Sequence, residues 1–522
     1  MNMPSATLTE ALIAACGSEG VSLDDDERAF LSQDLFEQGG EPAAVARPES
    51  TEAMAAVVQL AKQRQVPLYI RGGGMSYTRA FLPDRSGGIL VDSSRLDAIH
   101  EINAEDGFVT VGAGCTWKKL DEALAPHGVR TTFWGPFSGA RATVGGSLSQ
   151  GSATFGSGQT GTTAPAVLGL EVVTGNGDVL RTGMDAQHHH SPFFRHYGPD
   201  LSGLFTHDSG ALGIKTRVTL ALEERPAAVD GLSFSFPRFE DMFRAMRDAA
   251  KTGLASEIIG MDAAIAGIQA GERGFIADLK KLRTIVFEAS SLRRGVASGL
   301  HAIASGARAF RDAAYTAHFI ADARSDRLLT AKLRELRGVV RPHGVEIPNA
   351  AVAMIRSNPF PELPLTHLDG RRMLPIHGII PNSRIAAFRE RYLAYLASQQ
   401  TAMDEARVEV VETYASLGRN GFLYEPVWYW EDALSLFHER VAPPAMLEQL
   451  PRFADNPAGR QLVEQMKTDI IDIMFEHGAA HLQIGRVYPY LRGRDAVAER
   501  LLRNAREHLD EAGLVNPGTL GL

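Results

Sequence analysis

Apolar and other residues alternate in the stretch VPLYIRGGGMS, residues 66–76, where Val66, Leu68 and Ile70 hold the apolar positions. A period-2 pattern of this kind predicts a half-buried strand. The strand runs into three consecutive glycines at 72–74, which indicate a loop of bare backbone. Because glycine has no Cβ and accepts positive φ, successive N–H groups of such a loop can face one concavity and bind a pyrophosphate. A tight glycine turn without a ligand is the alternative interpretation.

Two parts of the chain differ in the elements that this pattern predicts. In the first part helices and strands alternate, which is typical of a mixed α and β class. Helices are predicted at 8–16, from 24–27, from Ser50 and at 117–124, and strands at 88–92, at 108–111 and in a hairpin of 168–173 with 179–180. From residue 226 onward, helices are predicted at 239–252, 293–321 and 327–337, and strands at 374–380 and 422–428.

Residues 143–161, TVGGSLSQGSATFGSGQTG, are rich in glycine and serine inside an otherwise ordered part of the chain. Flexible linkers share this composition. The flanks argue against a linker, because Phe133, Trp134 and Phe137 precede the segment and the predicted hairpin follows it. Small residues held between strands let a flat ring approach the backbone closely. We interpret the segment as a ligand contact, with a linker as the alternative.

Composition is ordinary for a globular protein, because 44% of the 522 residues are hydrophobic and 22% are charged. This length allows two or three domains. The net charge of −9 argues against a nucleic-acid partner. Cys16 and Cys115 lie far apart without metal-type spacing, which indicates free thiols in a reducing compartment. The N-terminal stretch lacks a basic n-region and a long apolar run, so we expect a cytoplasmic protein without a membrane span.

Five segments occur in an order that resembles the FAD-binding half of the vanillyl-alcohol oxidase / p-cresol methylhydroxylase (PCMH) flavoprotein family. They are ARPESTEAMAAVVQLAKQRQVPLYIRGGGMS, GGILVDSSRLDAIHEINAEDGFVTVGAGCTWKKL, ATVGGSLSQG, LGLEVVTGNGDVLRTG and YGPDLSGLFTHDSGALGIKTRVTLAL. The closing LDEAGLVNPGTLGL is similar to the family's C-terminal signature. The resemblance implies an α+β fold. A PCMH-type FAD-binding domain of two α/β subdomains would occupy 1–225, an α+β cap (substrate) domain 226–475, and a segment returning to the FAD domain 476–522.

By that resemblance the cofactor is FAD, and its binding residues are carried over onto matching positions. The implied set comprises Arg71, Gly72, Gly73, Gly74, Met75 and Ser76 in the pyrophosphate loop, and Thr143, Gly145, Gly146, Ser147, Gly151, Thr162 and Asn516 elsewhere. The physical reading agrees, because backbone donors and one guanidinium suit a diphosphate. The fingerprint G-x-G-x-x-G is incomplete, since Tyr77 stands at its third glycine, so we do not expect a Rossmann turn.

Two positions depart from the family's pattern. Several relatives carry a histidine that tethers the flavin where this chain has Met75, and a thioether cannot form that link. We therefore expect non-covalent FAD, with a tether from a cap-domain histidine or tyrosine as the alternative. Thr162 stands where phenolic-alcohol oxidases carry an aspartate near flavin N5, and a hydroxyl cannot act as a carboxylate base near neutral pH. Either another residue takes the substrate proton, or the substrate differs.

Candidate catalytic residues come from HLQIGRVYPYL at 481–491, which is similar to the family segment that enters the active site. Arg486 would stabilise a phenolate or a carboxylate, and Tyr488 or Tyr490 would orient it. His481 or one of the tyrosines would then serve as the base in place of the missing aspartate. An ordinary strand with an exposed arginine and core tyrosines is the alternative.

Histidine provides no convincing metal site in this sequence. D-lactate-type relatives have a His-x-Gly-Asp-Gly-Asn-x-His metal motif in the region of His377, but the second histidine and the carboxylate are missing here. One imidazole does not hold zinc, so we expect no metal. His377 is interpreted either as a pocket-lining residue or as a satisfied strand histidine. The run of histidines at 188–190 is interpreted as a surface loop.

The resemblance implies an FAD-dependent oxidoreductase that transfers a hydride from an alcohol-type or benzylic carbon to flavin N5. Oxygen or another acceptor would then take the electrons. An aromatic or phenolic alcohol is the expected small-molecule substrate, and a 2-hydroxy acid of the D-lactate or glycolate type is the alternative. Two further alternatives are a non-redox flavin-dependent transferase of the alkylglycerone-phosphate synthase type and a non-enzymatic flavin-binding protein. The oligomeric state is left open, a homodimer included.

Overall fold

The first sheet is built around a crossover helix that leads into the glycine loop. The computed structural model describes residues 7–262, 314–363, 365–367 and 369–522. The first elements are strands β1 (Val21–Ser22), β2 (Ala44–Ala46), β3 (Leu68–Arg71) and β4 (Ile89–Asp92) and helices α1 (Leu8–Cys16), α2 (Asp25–Leu31) and α3 (Thr51–Arg64). The strand order is β1-β2-β4-β3, and β2 and β3 run parallel to β4. Helix α3 is capped by Ser50 and carries the chain from β2 to β3, so the glycines follow β3 at its carboxyl end.

The second sheet is antiparallel and contains the predicted hairpin. Its strands are β5 (Ile99–Asn103), β6 (Phe108–Gly112), β7 (Val129–Thr131), β8 (Val167–Val173), β9 (Val179–Arg181) and β10 (Ile214–Glu224), and the helices between them are α4 (Trp117–Leu124), α5 (Val144–Gln150) and α6 (Ser157–Thr160). The order is β5-β6-β10-β8-β9, and β7 also pairs with β10. The hairpin prediction is confirmed, because β8 pairs with β9.

A third, larger antiparallel sheet follows from residue 228. Its strands are β11 (Ala228–Phe236), β12 (Glu257–Asp262), β13 (Tyr315–Ala323), β14 (Val345–Ile347), β15 (Arg372–Pro375), β16 (Gly378–Ile380), β17 (Val408–Leu417) and β18 (Gly421–Trp430). The order is β14-β11-β13-β12-β17-β18-β15, and β16 also pairs with β18. The remaining helices are α7 (Phe239–Thr252), α8 (Asp326–Val340), α9 (Ala350–Ser357), α10 (Ile385–Ala406), α11 (Leu436–Val441), α12 (Pro444–Leu447), α13 (Pro457–Glu476) and α14 (Ala496–Leu509).

One helix prediction is wrong over part of its length. The helix predicted at 293–321 lies outside the described residues up to 313, and from Tyr315 the chain forms strand β13 instead. The sequence YTAHFIADA has helix-favouring alanines, but β13 pairs along its length with β11 and β12. Eight of its nine residues are buried, because pairing on both edges and packing on both faces override local propensity.

The chain returns to the first sheet near its last residues. Val515 bridges Leu68 of β3, and the N–H of Leu68 donates to the carbonyl of Leu514. The second sheet ends at Glu224 and the third begins at Ala228. The predicted boundary between residues 225 and 226 lies in this connection, and the division into domains stays a prediction.

Candidate cofactor and substrate site

A cavity of about 560 Å³ lies between the glycine loop and the third sheet. One wall consists of the loop after β3, the N-terminal half of α5 and the start of β10; we call it the cradle wall. The opposite wall consists of side chains from β12, β17 and β18; we call it the sheet wall. Of the predicted cofactor residues, the cradle wall includes Gly72, Gly73, Gly74, Met75, Ser76, Thr143, Gly145, Gly146, Ser147 and Asn516.

Backbone donors dominate the glycine loop of the cradle wall. The N–H groups of residues 72–77 have no hydrogen-bond acceptor among the described residues. Gly74 has φ +70, a conformation that favours glycine, and a Cβ at Gly73 would overlap the carbonyl oxygen of Arg141. The loop therefore needs glycine and offers a row of unpaired donors to the cavity. This donor set fits the pyrophosphate of a dinucleotide cofactor, since phosphate oxygens only accept hydrogen bonds.

The glycine- and serine-rich segment forms the second part of this wall as helix α5. Thr143 caps the helix, and its Oγ1 accepts the N–H of Gly146 at 3.2 Å. The N–H of Gly145 donates to the carbonyl of Ala113 at 2.8 Å, which holds the helix start against the second sheet. The oxygen of Ser147 accepts the indole N–H of Trp117. Small residues thus face the cavity where the sequence predicts close approach of a flat ring.

Arg71 lies behind the glycine loop instead of on the cavity lining. Its guanidinium carbon lies 5.5 Å from the ring centroids of both Phe30 and Phe81. Burial lowers the pKa of Arg71 to about 10, which leaves the side chain charged near neutral pH. The arginine therefore places a positive charge beneath the unpaired N–H groups.

Gly151 and Thr162 also lie off the cavity lining, and both contact one histidine. The hydroxyl of Thr162 lies 3.0 Å from Nε2 of His207, and a Cβ at Gly151 would overlap the His207 ring. Burial lowers the pKa of His207. These two predicted residues support the segment that leads to Ser209, which does line the cavity.

Asn516 connects the returning chain to the cradle wall. Its Oδ1 accepts the N–H of Ile70 at 2.8 Å, and its Nδ2 donates to the carbonyl of Gly210 at 3.1 Å. Lys215 lines the cavity nearby, and its Nζ pairs with Oδ1 of Asp208 at 2.7 Å with both side chains almost fully buried. The sequence pattern does not predict this ion pair, because charges seven residues apart in a loop and a strand have no fixed spacing.

The sheet wall follows the period-2 pattern of three adjacent strands. Met261, Thr413 and Glu425 lie directly opposite one another across β12, β17 and β18. The next row of the same face consists of Ile259, Ala415 and Leu423. The hydroxyl of Thr413 donates to Oε2 of Glu425 at 2.6 Å. Burial raises the pKa of Glu425. The cavity face of this wall combines apolar side chains with this hydrogen-bonded threonine–glutamate pair and with Glu257 of β12.

His377 and Tyr77 also line the cavity. The backbone N–H of His377 donates to the Tyr488 hydroxyl at 2.9 Å, while its ring Nε2 has no hydrogen-bond partner within the part of the chain that the structure describes. Burial lowers the pKa of His377 to about 3, so the imidazole is neutral. The amide of Gln483 donates to the Tyr77 hydroxyl at 3.1 Å, and the rings of Tyr77 and His377 lie 6.3 Å apart. Of the two interpretations of His377, the structure favours the pocket-lining one.

The four predicted catalytic side chains lie behind these residues and not on the cavity lining. Tyr488 contacts His377 as described, and His481 stacks on Tyr488 while its Nδ1 donates to the carbonyl of His377 at 2.8 Å. Arg486 donates to the carbonyl of Leu82. The ring of Tyr490 is covered by the guanidinium of Arg494. Their direct contact with a substrate stays a prediction.

Sequence reasoning missed Glu425 and Gln483 as cavity residues. A signal for the first exists, because Glu425 interrupts the apolar run FLYEPVWYW of β18. A charged residue inside a buried strand requires a partner or a function. For Gln483 and Tyr77 we find no such signal, since both lie in loops.

The described residues offer neither a cluster of metal ligands nor a membrane-spanning helix. Among the described residues, no three histidine, cysteine, aspartate or glutamate side chains come close enough to hold a metal ion. In the same part of the chain, no helix combines the length and the apolar composition that crossing a membrane requires.

Comparison with known protein families gives residues 42–183 as a match to the family described as FAD binding domain. This part of the chain is an FAD-binding domain. The cofactor predicted from the sequence, FAD, is thereby confirmed. The unpaired N–H groups of the glycine loop agree with it on independent grounds.

Curated relatives match less than half of the chain. A D-lactate dehydrogenase of Archaeoglobus fulgidus is 27% identical over 215 residues, 41% of this chain and 46% of the relative. A glycolate oxidase subunit GlcD of Escherichia coli is 28% identical over 256 residues, 48% of this chain and 50% of the relative. The chain thus spans about half the length of the curated relatives it matches. These FAD-linked oxidoreductases agree with the broader part of the predicted resemblance. Membership of the vanillyl-alcohol oxidase branch stays a prediction.

Solved structures share the fold across nearly the whole chain. A p-cresol methylhydroxylase with substrate bound matches with a TM-score of 0.71 at 15% identity, covering 99% of this chain and 96% of that one. An alkyldihydroxyacetonephosphate synthase matches with a TM-score of 0.67 at 16% identity, covering 99% and 86%. The predicted α+β fold with a PCMH-type FAD-binding domain is confirmed.

Proposed function

We propose that the protein is an FAD-dependent oxidoreductase that oxidises an alcohol carbon to a carbonyl. The observation that carries this proposal is the cavity in which the cradle wall faces the sheet wall. Its volume of about 560 Å³ is within the range of small-molecule sites. When bound, FAD supplies an acceptor for a hydride. A substrate held against the sheet wall would therefore lie in the same cavity as the cofactor.

The residues of the cradle wall would hold the cofactor. The N–H groups of residues 72–77 suit its pyrophosphate, and the charge of Arg71 behind them adds to the attraction. Thr143 and Gly146 would accommodate the flat ring. Asn516 would fix the strand that leads to the loop through its bond to the N–H of Ile70. With Met75 in the loop, FAD would be held without a covalent link there.

The predicted catalytic segment would act through other residues. Tyr488 and His481 both bind the backbone of His377, so they would position its ring at the cavity. Arg486 would brace the chain that follows the glycine loop, because its backbone N–H donates to Thr78 and its side chain donates to Leu82. We propose these as positioning roles, with Tyr490 supporting the same segment.

Two substrate classes have support. The relatives favour a 2-hydroxy acid, since they include D-lactate dehydrogenases and glycolate oxidase subunits. An apolar sheet wall favours an aromatic or phenolic alcohol, because Ile259, Met261 and Leu423 offer no partner to a carboxylate. Oxygen or another electron acceptor would reoxidise the flavin in either case.

Anaerobic mixing of the FAD-loaded protein with a substrate panel tests the proposal. The panel pairs D-lactate and glycolate with benzylic and phenolic alcohols, and flavin absorbance reports reduction. We expect one class to bleach the flavin at least tenfold faster than the other. Full retention of FAD without reduction by any member would contradict the proposed function. The reduced flavin is then reoxidised either with air or with an artificial dye. Fast reoxidation by air identifies oxygen as the acceptor, and reoxidation by the dye alone indicates another acceptor.

A further inference from the structure

Two carboxyl groups line the cavity, and their surroundings differ sharply. Oε1 of Glu257 accepts the N–H of Gly156 at 2.8 Å, and its other oxygen binds the Ser256 hydroxyl and Arg356. Both oxygens of Glu257 are therefore occupied. Glu425 binds only Thr413, through Oε2, and its Oε1 has no donor among the described residues. One carboxyl oxygen of the sheet wall is thus available to a ligand.

The position of Glu425 reinforces this contrast. It lies in a strand interior between Thr413 and the loop of His377, on the same face as Met261 and Leu423. Its exposed remainder faces the cavity, and no lysine or arginine of the described residues forms an ion pair with it. A carboxyl that is enclosed by apolar groups and left without a cation lowers stability. Its retention in a cavity therefore points to a function.

We infer that Glu425 takes the proton of the substrate hydroxyl during oxidation. This inference rests on the proposed function. The O–H bond of the alcohol would break and its proton would move to Oε1 of Glu425, while bound FAD would supply the acceptor for the hydrogen and electron pair of the C–H bond. A C=O bond forms, and the carboxyl later returns the proton to water. The atoms and electrons balance without a further reactant.

The neighbouring titratable groups cannot easily take this role. Burial lowers the pKa of His377 to about 3, so its imidazole is a weak base. Burial and the charge of Glu425 raise the pKa values of Tyr77 and Tyr488 far above neutrality, so both phenols keep their protons. Burial also raises the pKa of Glu425, which brings its ionisation closer to the working pH of a general base. Tyr429, with a pKa raised to about 12, likewise stays neutral.

Substitution Glu425→Gln removes the base and keeps the shape and the acceptor for Thr413. We expect the anaerobic rate of flavin reduction to fall by about 10²- to 10⁴-fold, the usual contribution of general base catalysis. Glu425→Asp should restore part of the rate. Glu409→Gln is the matched control, because Glu409 pairs with Arg371 at the protein surface. Unchanged FAD content in all three variants shows that they are folded, and an undiminished rate in Glu425→Gln overturns the inference.

A second measurement needs no substrate. The flavin absorption of the FAD-loaded protein is titrated between pH 4 and 9 in the wild type, in Glu425→Gln and in Glu409→Gln. We expect one spectral transition in the wild type and in Glu409→Gln that disappears in Glu425→Gln. Its presence in all three proteins, or its absence from the wild type, contradicts the inference. Failure of the proposed function gives a different result, because no alcohol of the substrate panel would then reduce the flavin of the wild-type protein.

Discussion

The two walls of the cavity are built by different means. The cradle wall presents backbone N–H groups of residues 72–77, and the sheet wall presents side chains at alternate positions of three strands. A backbone surface changes only when the chain path changes. A sheet face changes with each side chain, as the isolated carboxyl of Glu425 illustrates. Cofactor binding in the cradle wall would therefore depend on where Cβ atoms are missing, whereas substrate chemistry would depend on which side chains the sheet wall presents.

The largest effect is expected at the one buried ion pair of the cradle wall. Lys215→Met leaves Asp208 buried without its cation, which should lower the free energy of unfolding by about 3–5 kcal/mol. Lys119→Met is the control, because the side chains of Lys119 and Asp97 are 45% and 48% exposed. That change should cost less than about 1 kcal/mol. Urea unfolding measures both, and equal losses would contradict the claim that burial decides the effect.

Gly73→Ala tests the glycine loop of the cradle wall directly. The added Cβ would overlap the carbonyl of Arg141, so the loop must move. We expect a loss of about 2–3 kcal/mol and a protein that is purified largely without FAD. Gly338→Ala, in the interior of α8 with open space around it, should instead gain about 0.5–1 kcal/mol. Flavin fluorescence after unfolding reports FAD content, and full retention of FAD in Gly73→Ala would contradict the claim that the cradle wall binds the cofactor through its glycine backbone.

Tyr488→Phe tests whether the position of His377 at the cavity depends on a single side chain. The change leaves the N–H of His377 without its acceptor, which should cost about 1–3 kcal/mol and slow flavin reduction. Tyr490→Phe should change the unfolding free energy by less than about 0.5 kcal/mol, because its hydroxyl makes no hydrogen bond within the described residues. Equal results for the two tyrosines would remove the proposed positioning role.

A smaller effect concerns pH and the third sheet. Burial lowers the pKa of His318 to about 4, below its ordinary value, so the unfolded chain binds more protons than the folded one between these values. The contribution of neutral His318 to the free energy of unfolding is complete above the pKa of the unfolded chain. It is lost as the pH falls toward the pKa of His318 in the folded protein. Between pH 7.5 and pH 5.5 we expect the free energy of unfolding of the protein to fall by about 1 kcal/mol because of His318. Urea unfolding of the wild type and His318→Gln at both pH values isolates this loss, and parallel pH dependences would contradict it.

Local patterns predict the first half of the molecule well. The glycines after β3 and the hairpin of β8 and β9 follow from residues that are neighbours in the sequence. Helix α7 has the predicted bounds Phe239–Thr252, since its apolar stripe is regular. Turn chemistry and periodicity suffice where an element and its partner lie close in the chain.

Long-range placement explains what the patterns miss. The alanine-rich β13 becomes a strand only because β11 and β12 flank it. Arg486 belongs to a segment that resembles an active-site segment, yet its guanidinium turns to Leu82, because loop geometry decides its direction. Glu425 reaches the cavity through strand register, and the register of β18 cannot be read from its own sequence.

The bond between Ile70 and Asn516 joins residues 446 positions apart. During synthesis the ribosome therefore releases the glycine loop long before the amide that anchors β3 exists. Contacts of such separation form late and slowly. FAD would consequently be captured only after translation has passed residue 516, when Asn516 can hold β3 in place.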